Sequence, residues 1–286
     1  MEVVDVYCGI GGFSAGAMQA NCTPIAGYDC DDCVLRLWAS NTGGKGFVAT
    51  LWTDRVRIPP PRQNLHIHLS PPCTTMSNAR RKTCDSASDA DAIRHAIEFV
   101  LKHRYKSWSL ENVSTPTVRA LIDEFVDSTP HLIAYTTVDA ADFGVPTTRR
   151  RLIAGPPLII RHLRETPVTR MSVAEAFNLA GVAIPAQHIR NSTRTRDGSA
   201  CVRSVQGPAH TQTASHPLTW CKADGSTVRC LTVAETAIVQ GMPLKWMLPC
   251  GSRVGIRALG NVIVPGVARA IMVAACAANK RRITAI

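Results

Sequence analysis

Cys73 stands behind two prolines in Ser70-Pro71-Pro72-Cys73, directly after the alternating run Leu65-His66-Ile67-His68-Leu69. Each proline fixes φ and removes a backbone donor, so covalent geometry sets the direction of a thiol placed where a strand gives way to a loop. Such a thiol is suited to act as a nucleophile. Glu111 closes a second apolar run, Trp108-Ser109-Leu110-Glu111-Asn112-Val113, with a carboxylate that can hydrogen-bond or protonate a reacting atom. Each segment alone has a plainer reading. Pro-Pro-Cys is also a rigid turn that carries a buried structural cysteine.

The chain opens with Glu2-Val3-Val4-Asp5-Val6-Tyr7, a short buried-strand pattern, and passes through Cys8-Gly9-Ile10-Gly11-Gly12-Phe13 into Ser14-Ala15-Gly16-Ala17-Met18. Strand, glycine turn and helix in that order let a backbone approach a nucleotide-like ligand and offer it unpaired N–H groups. Asp29 follows about 20 residues on, where a carboxylate at the tip of the second strand can grip ribose hydroxyls. A lone glycine-rich turn is often only a tight turn. This one has its strand, its helix and its acid.

Further segments follow in order: Ala141-Asp142-Phe143-Gly144-Val145-Pro146-Thr147-Thr148-Arg149-Arg150-Arg151, Leu231-Thr232-Val233-Ala234-Glu235 with Gln240-Gly241-Met242-Pro243, and Gly260-Asn261-Val262-Ile263-Val264-Pro265. Together with the segments around Gly9, Cys73 and Glu111, the series resembles the cytosine-C5 DNA methyltransferases that use S-adenosylmethionine. The resemblance implies an α/β fold: a mostly parallel, doubly wound, Rossmann-like sheet with a smaller, loop-rich second domain. It implies a cofactor-binding and catalytic domain over residues 1–155, completed by about 259–286. A target-recognition domain would fill 156–258, its variable part being the interval 156–225 outside the matches.

In such an enzyme Cys73 adds to C6 of a cytosine, so that C5 becomes nucleophilic, while Glu111 holds or protonates N3. Arg151 and Arg149 match arginines near the flipped base, and Asn112 matches the residue that holds the proline-cysteine turn. Asp5, Tyr7, Cys8, Gly9, Gly11, Gly12, Phe13, Asp29, Cys30, Pro71, Asn261 and Ile263 are the cofactor-binding residues that the resemblance implies. The reacting edge of cytosine is inaccessible in a duplex, so the base must be flipped out, and the basic loop from Ser77 through Arg80 and Arg81 can help offset that cost. Departures from the family pattern are Cys30 where a large apolar residue packs on adenine, Thr147 in place of glutamine, and Thr74 and Met76 after the nucleophile. The third-strand acid has only Asp54 as a candidate, out of register.

A chain of 286 residues that is 45% hydrophobic can bury a full core, and a net charge of +11 with a pI near 9.4 suits a polyanionic partner. Eleven cysteines around a reactive thiol favour a reducing compartment. Cys30 and Cys33 have the spacing of half a zinc site but lack a second pair, so no metal is expected. His66 and His68 read as strand-face residues rather than ligands. Scattered Arg161, Arg164, Arg170, Arg190, Arg194, Arg196 and Arg203 suit either phosphate tracking, with Arg194 and Arg196 as the chosen DNA contacts, or a solvated basic surface. Phe177 and Trp220 are the main aromatics there, too few for a stacking platform.

Strands are expected near Val3–Tyr7, Ile25–Tyr28, Leu65–Leu69, Trp108–Leu110, Leu132–Val138 and Leu152–Ala154. A helix is expected from a capping box at Ser88 to Asp91. The apolar run Val262–Ala278, broken by Pro265 and Arg269, reads as a core helix. The expected partner is double-stranded DNA, with a cognate restriction endonuclease as a further candidate. The protein is expected to be a monomer without a membrane, cytoplasmic and DNA-associated, in a cell or a virus-infected cell. An RNA cytosine-5 methyltransferase of the transfer-RNA branch is the alternative, although its Cys-Phe-Thr signature is absent. A catalytically silent DNA-binding relative is the other.

Overall fold

The computed structural model describes residues 1–49, 57–72, 86–194 and 200–283, with backbone alone at 86–88, 193–194 and 281–283. Strand β1 (Glu2–Val6) leads through the glycine turn into α1 (Gly12–Gln19), then β2 (Thr23–Asp29), α2 (Asp32–Thr42) and β3 (Lys45–Val48). There follow β4 (Leu65–Leu69), α3 (Ser86–Lys102), β5 (Trp108–Val113), α4 (Pro116–Ser128), β6 (Ala134–Asp139), β7 (Arg150–Gly155) and α5 (Pro157–Arg164). These strands form one sheet in the order β3-β2-β1-β4-β5-β7-β6. The pairs from β3 across to β5 are parallel, and β7 runs antiparallel to β5. The expected mostly parallel, Rossmann-like sheet is therefore the fold. Its strand order turns back between β1 and β4, where such sheets open a crevice at the carboxyl ends of their strands.

Every residue of β4 and β5 is buried, as suits central strands covered on both faces. His66 and His68 belong to that covered strand. His66 meets the hydroxyls of Ser107 and Ser109, each at 2.9 Å, and His68 Nδ1 meets Ser109 Oγ at 2.8 Å. Helix α2 seats Trp38 on β2 where Gly27 leaves the backbone bare; a Cβ there would lie 2.7 Å from the indole. Helix α3 starts at Ser86, so the expected cap at Ser88 lies inside the first turn. Its stripe of Ile93, Ala96, Ile97 and Val100 is core.

The chain divides into two compact units: Met1–Val138, Arg150–Pro167 and Ala268–Ile286 make the first, and Asp139–Arg149 with Val168–Val267 the second. The chain crosses between them at 138/139, 149/150, 167/168 and 267/268. Helix α5 lies in the first unit, and the segment 139–149 in the second. The second unit contains α6 (Val173–Leu179), β8 (His188–Arg194), β9 (Ala200–Ser204), β10 (Thr219–Cys221), β11 (Thr227–Cys230), α7 (Val233–Val239) and α8 (Ser252–Asn261). Its strands make an antiparallel sheet in the order β11-β10-β8-β9. Phe177 and Trp220 meet edge to face at 5.3 Å in its core. Helix α9 (Pro265–Ile283) runs from the second unit into the first. The stretch Ser252–Lys280 is long and apolar enough to cross a membrane, but 67% of its most apolar window is buried inside the protein.

Candidate cofactor and catalytic site

The turn after β1 is built from positive-φ backbone at Tyr7 (61°), Gly9 (51°) and Gly11 (87°). Gly11 N donates to Cys8 O at 2.8 Å, and Cys8 N to Tyr28 O at 3.0 Å, so the turn is pinned to itself and to β2. Gly9 N donates to Asp29 Oδ2 at 2.9 Å and Asp31 N to Oδ1 at 3.0 Å. Each oxygen of Asp29 thus accepts one backbone bond and keeps lone pairs for a ligand hydroxyl. A Cβ on Gly9 would meet nothing within 4 Å, so the turn faces open space. Helix α1 has no side-chain cap and no acid in its first turn. A bound anion would satisfy its first N–H groups. Cys30, the residue after Asp29, is exposed.

Beneath the turn lies a polar layer. Asp5 is 1% exposed; its Oδ2 accepts from Ser14 Oγ at 2.6 Å, and that hydroxyl accepts from Trp38 Nε1 at 2.9 Å. Burial pushes Asp5 up to about 7, against the lowering pull of the Ser14 and Trp38 hydrogen bonds. Phe13, 1% exposed, stacks on His68 with ring centroids 3.7 Å apart and planes 1° from parallel. Asp5 and Phe13 therefore shape the turn from within, their side chains packed in the core beneath it. Cys8 is also buried, and its burial, reinforced by Asp5 and Asp29, raises its thiol well above the usual range.

On the other side of the reversal point, Ser70 N donates to Val6 O at 3.2 Å and Ser70 Oγ to Tyr7 O at 3.1 Å, tying the end of β4 to the glycine turn. Asn112 Nδ2 donates to Pro71 O at 3.1 Å, so β5 holds the proline turn. Glu111, one residue back along β5, pairs with Arg151 Nε at 3.0 Å; both side chains are largely buried, at 9% and 18% exposure. Arg151 enters from the start of β7, whose antiparallel run brings that end beside the carboxyl end of β5. Tyr7, Gly9, Gly11, Gly12, Asp29, Pro71, Asn112, Glu111 and Arg151 thus line the carboxyl edge of neighbouring strands.

Other residues go elsewhere. Cys73, Ser77, Arg80, Arg81, Arg196 and Asp54 lie outside the described residues, and Arg194 is described by its backbone at the end of β8. Arg149, 3% exposed, belongs to the second unit, where its Nη1 donates to Gln212 O at 3.3 Å. There its guanidinium ties the segment 139–149 to Gln212. Asn261, the last residue of α8, and Ile263, between α8 and α9, also belong to the second unit. Of the scattered arginines, Arg164 donates to Tyr135 O, Arg170 pairs with Asp142, Arg190 donates to Thr227 Oγ1, and Arg203 to Thr148 Oγ1 and two carbonyls. Arginines that read as a basic patch are thus largely employed in holding the fold.

Sequence reasoning missed Ser14 and Trp38 as supports of the turn, and gave His68 no role beyond its strand. A buried acid in the fourth position of β1 was the signal for Ser14, since it needs a donor from the next element.

The family model for C-5 cytosine-specific DNA methylase matches residues 1–155 of the chain. No curated protein matches it significantly in sequence. Among solved structures, an E. coli prophage-encoded protein assigned as a DNA modification methyltransferase aligns with TM-score 0.69 at 16% identity, over 98% of this chain and 99% of that one. The Entamoeba histolytica methyltransferase EhMeth aligns with TM-score 0.64 at 13% identity, over 97% and 98%. S. pombe Dnmt2 methyltransferase aligns with TM-score 0.56 at 15% identity, over 96% and 97%. At these identities the structures share the fold.

Proposed function

Because the chain belongs to the C-5 cytosine-specific DNA methylase family, we propose that it transfers a methyl group from S-adenosylmethionine to C5 of cytosine in DNA. One observation carries the reading: the Asp29-bonded glycine turn and the set of Pro71, Asn112, Glu111 and Arg151 lie on adjacent strand ends of one sheet. A ligand on the turn and a base against the carboxylate would therefore be neighbours.

S-adenosylmethionine supplies an electrophilic methyl group on a sulfonium. Asp29 would accept from its ribose hydroxyls, and the open face of Gly9 with the uncapped start of α1 would receive the rest of the ligand. Cys73 would add as thiolate to C6 of a flipped-out cytosine, making C5 nucleophilic. Glu111, fixed in direction by Arg151, would hold or protonate N3 as negative charge builds on the ring. Asn112 would keep Pro71, and through it the nucleophile's loop, in register with Glu111. Once C5 carries the methyl group, loss of its proton and departure of Cys73 restore the ring. A second unit built around its own core, with Arg194 and Arg196 at and beyond the end of β8, would serve target recognition.

DNA is favoured over RNA by the description of the matching family and by the absence of the transfer-RNA branch's Cys-Phe-Thr signature. Purified protein incubated with labelled S-adenosylmethionine should transfer label to duplex DNA, with bisulfite sequencing locating 5-methylcytosine at defined sites. Label that enters only transfer RNA would reject the DNA assignment and keep the chemistry.

A further inference from the structure

Cys22 and Cys276 are 254 residues apart in the chain, yet their sulfurs lie 3.7 Å from each other. Cys22 sits between α1 and β2, 5% exposed, with its backbone N bonded to Ala17 O at 2.9 Å. Cys276 lies on α9 and is half-buried. Both belong to the first unit. Asn279, nearly one helical turn further along α9, donates from Nδ2 to Asn64 Oδ1 at 3.0 Å, and Asn64 O in turn accepts from Glu2 N at 2.8 Å. The helix is thus held against this edge by a second contact, independent of the thiols.

We infer that Cys22 and Cys276 form a reversible disulfide that staples the start of β2 to helix α9. A disulfide needs its sulfurs about 2.05 Å apart, so this pair must close by about 1.7 Å, a displacement on the scale of side-chain rotation. The pair is also chemically poised. The contact with Cys276 lowers the Cys22 thiol below its ordinary value and raises that of Cys276, so Cys22 is the better suited of the two to attack as a thiolate.

The oxidant is a small-molecule disulfide such as oxidised glutathione. One protein thiolate attacks it, forms a mixed disulfide and expels one glutathione thiolate. The second cysteine, as thiolate, then attacks the protein sulfur of that mixed disulfide and releases the other glutathione. In sum the two protein thiols lose two protons and two electrons, and the oxidant is reduced to two thiols. The link joins residues near the two ends of the chain, which restricts the unfolded state strongly.

The test uses the full chain. Protein equilibrated with oxidised glutathione is alkylated, digested without reduction and mapped by mass spectrometry, and its thermal midpoint is compared with that of protein kept in dithiothreitol. We expect a linked Cys22–Cys276 peptide that dithiothreitol releases, and a higher midpoint in the oxidised form. Cys276→Ser, at the more exposed position, should abolish both the peptide and the midpoint difference. The inference is overturned if the folded, oxidised protein yields both cysteines alkylated, if either is linked elsewhere, or if the linked protein melts at the same temperature as the reduced one. A midpoint difference that survives in Cys276→Ser overturns it too.

Discussion

Replacing Asp5 with asparagine will change how stability depends on pH. In the folded protein the buried Asp5 is pushed from 3.8 up to about 7, so between those values the folded state binds a proton that the unfolded state has released. Stability from this group is complete below pH 3.8 and is lost as pH rises to about 7, at about 1.4 kcal/mol per unit. His66 acts with the opposite sign. Burial lowers it to about 3 from 6.5, so its contribution is present above 6.5 and is lost as pH falls toward 3; His68 is lowered in the same sense by burial and by His66. Across the shared window the Asp5 slope therefore cancels part of the histidine slope. In Asp5→Asn that opposition disappears, and the stability gained between pH 4.5 and 7.5 should exceed the wild-type gain by about 3 kcal/mol. The buried amide adds an offset of about 1–3 kcal/mol, but that offset does not vary with pH. Urea unfolding at pH 4.5, 6 and 7.5, followed by tryptophan fluorescence, measures the difference, since Trp38 bonds the same hydroxyl that Asp5 accepts from. Parallel pH profiles for the two proteins would refute the reasoning.

Asp29→Ala removes the carboxylate that accepts from Gly9 N and Asp31 N, and should weaken S-adenosylmethionine binding in calorimetry by about 10-fold or more while the protein stays folded. Asn112→Ala leaves the Pro71 carbonyl without its donor, at a cost of about 1–3 kcal/mol; turnover should fall with little change in the KM for S-adenosylmethionine. Gly27→Ala places a Cβ 2.7 Å from the Trp38 ring and should destabilise the protein by about 1–3 kcal/mol in denaturant titrations.

The sheet was legible because its central strands are short apolar runs separated by helical patterns, and the candidate site residues stood out because they lie near the ends of those runs. Trp108–Leu110 was extended by the structure to Val113, which puts Glu111 and Asn112 inside β5 instead of beyond it. The edge strand β3 was invisible, since Lys45-Gly46-Phe47-Val48 is short, glycine-containing and exposed, as edge strands are. In the second unit, β8 reads His188-Ile189-Arg190-Asn191-Ser192-Thr193-Arg194, too polar for a strand signal; cross-strand pairing and the Phe177–Trp220 core decide it. Arg149 shows another limit. Spacing puts it two residues from Arg151, but contacts that sequence does not encode locally direct the two guanidinium groups to Gln212 O and to Glu111.

The central claim is that Cys73 bonds covalently to cytosine C6 during methyl transfer. Duplex DNA that carries 5-fluorocytosine at the methylated site denies the enzyme the C5 proton whose loss would free the cysteine. With S-adenosylmethionine present, wild-type protein should give an adduct that survives denaturing electrophoresis and maps to Cys73, and Cys73→Ser should give none while losing turnover on ordinary DNA. An adduct on another residue, or unchanged turnover in Cys73→Ser, would contradict the account.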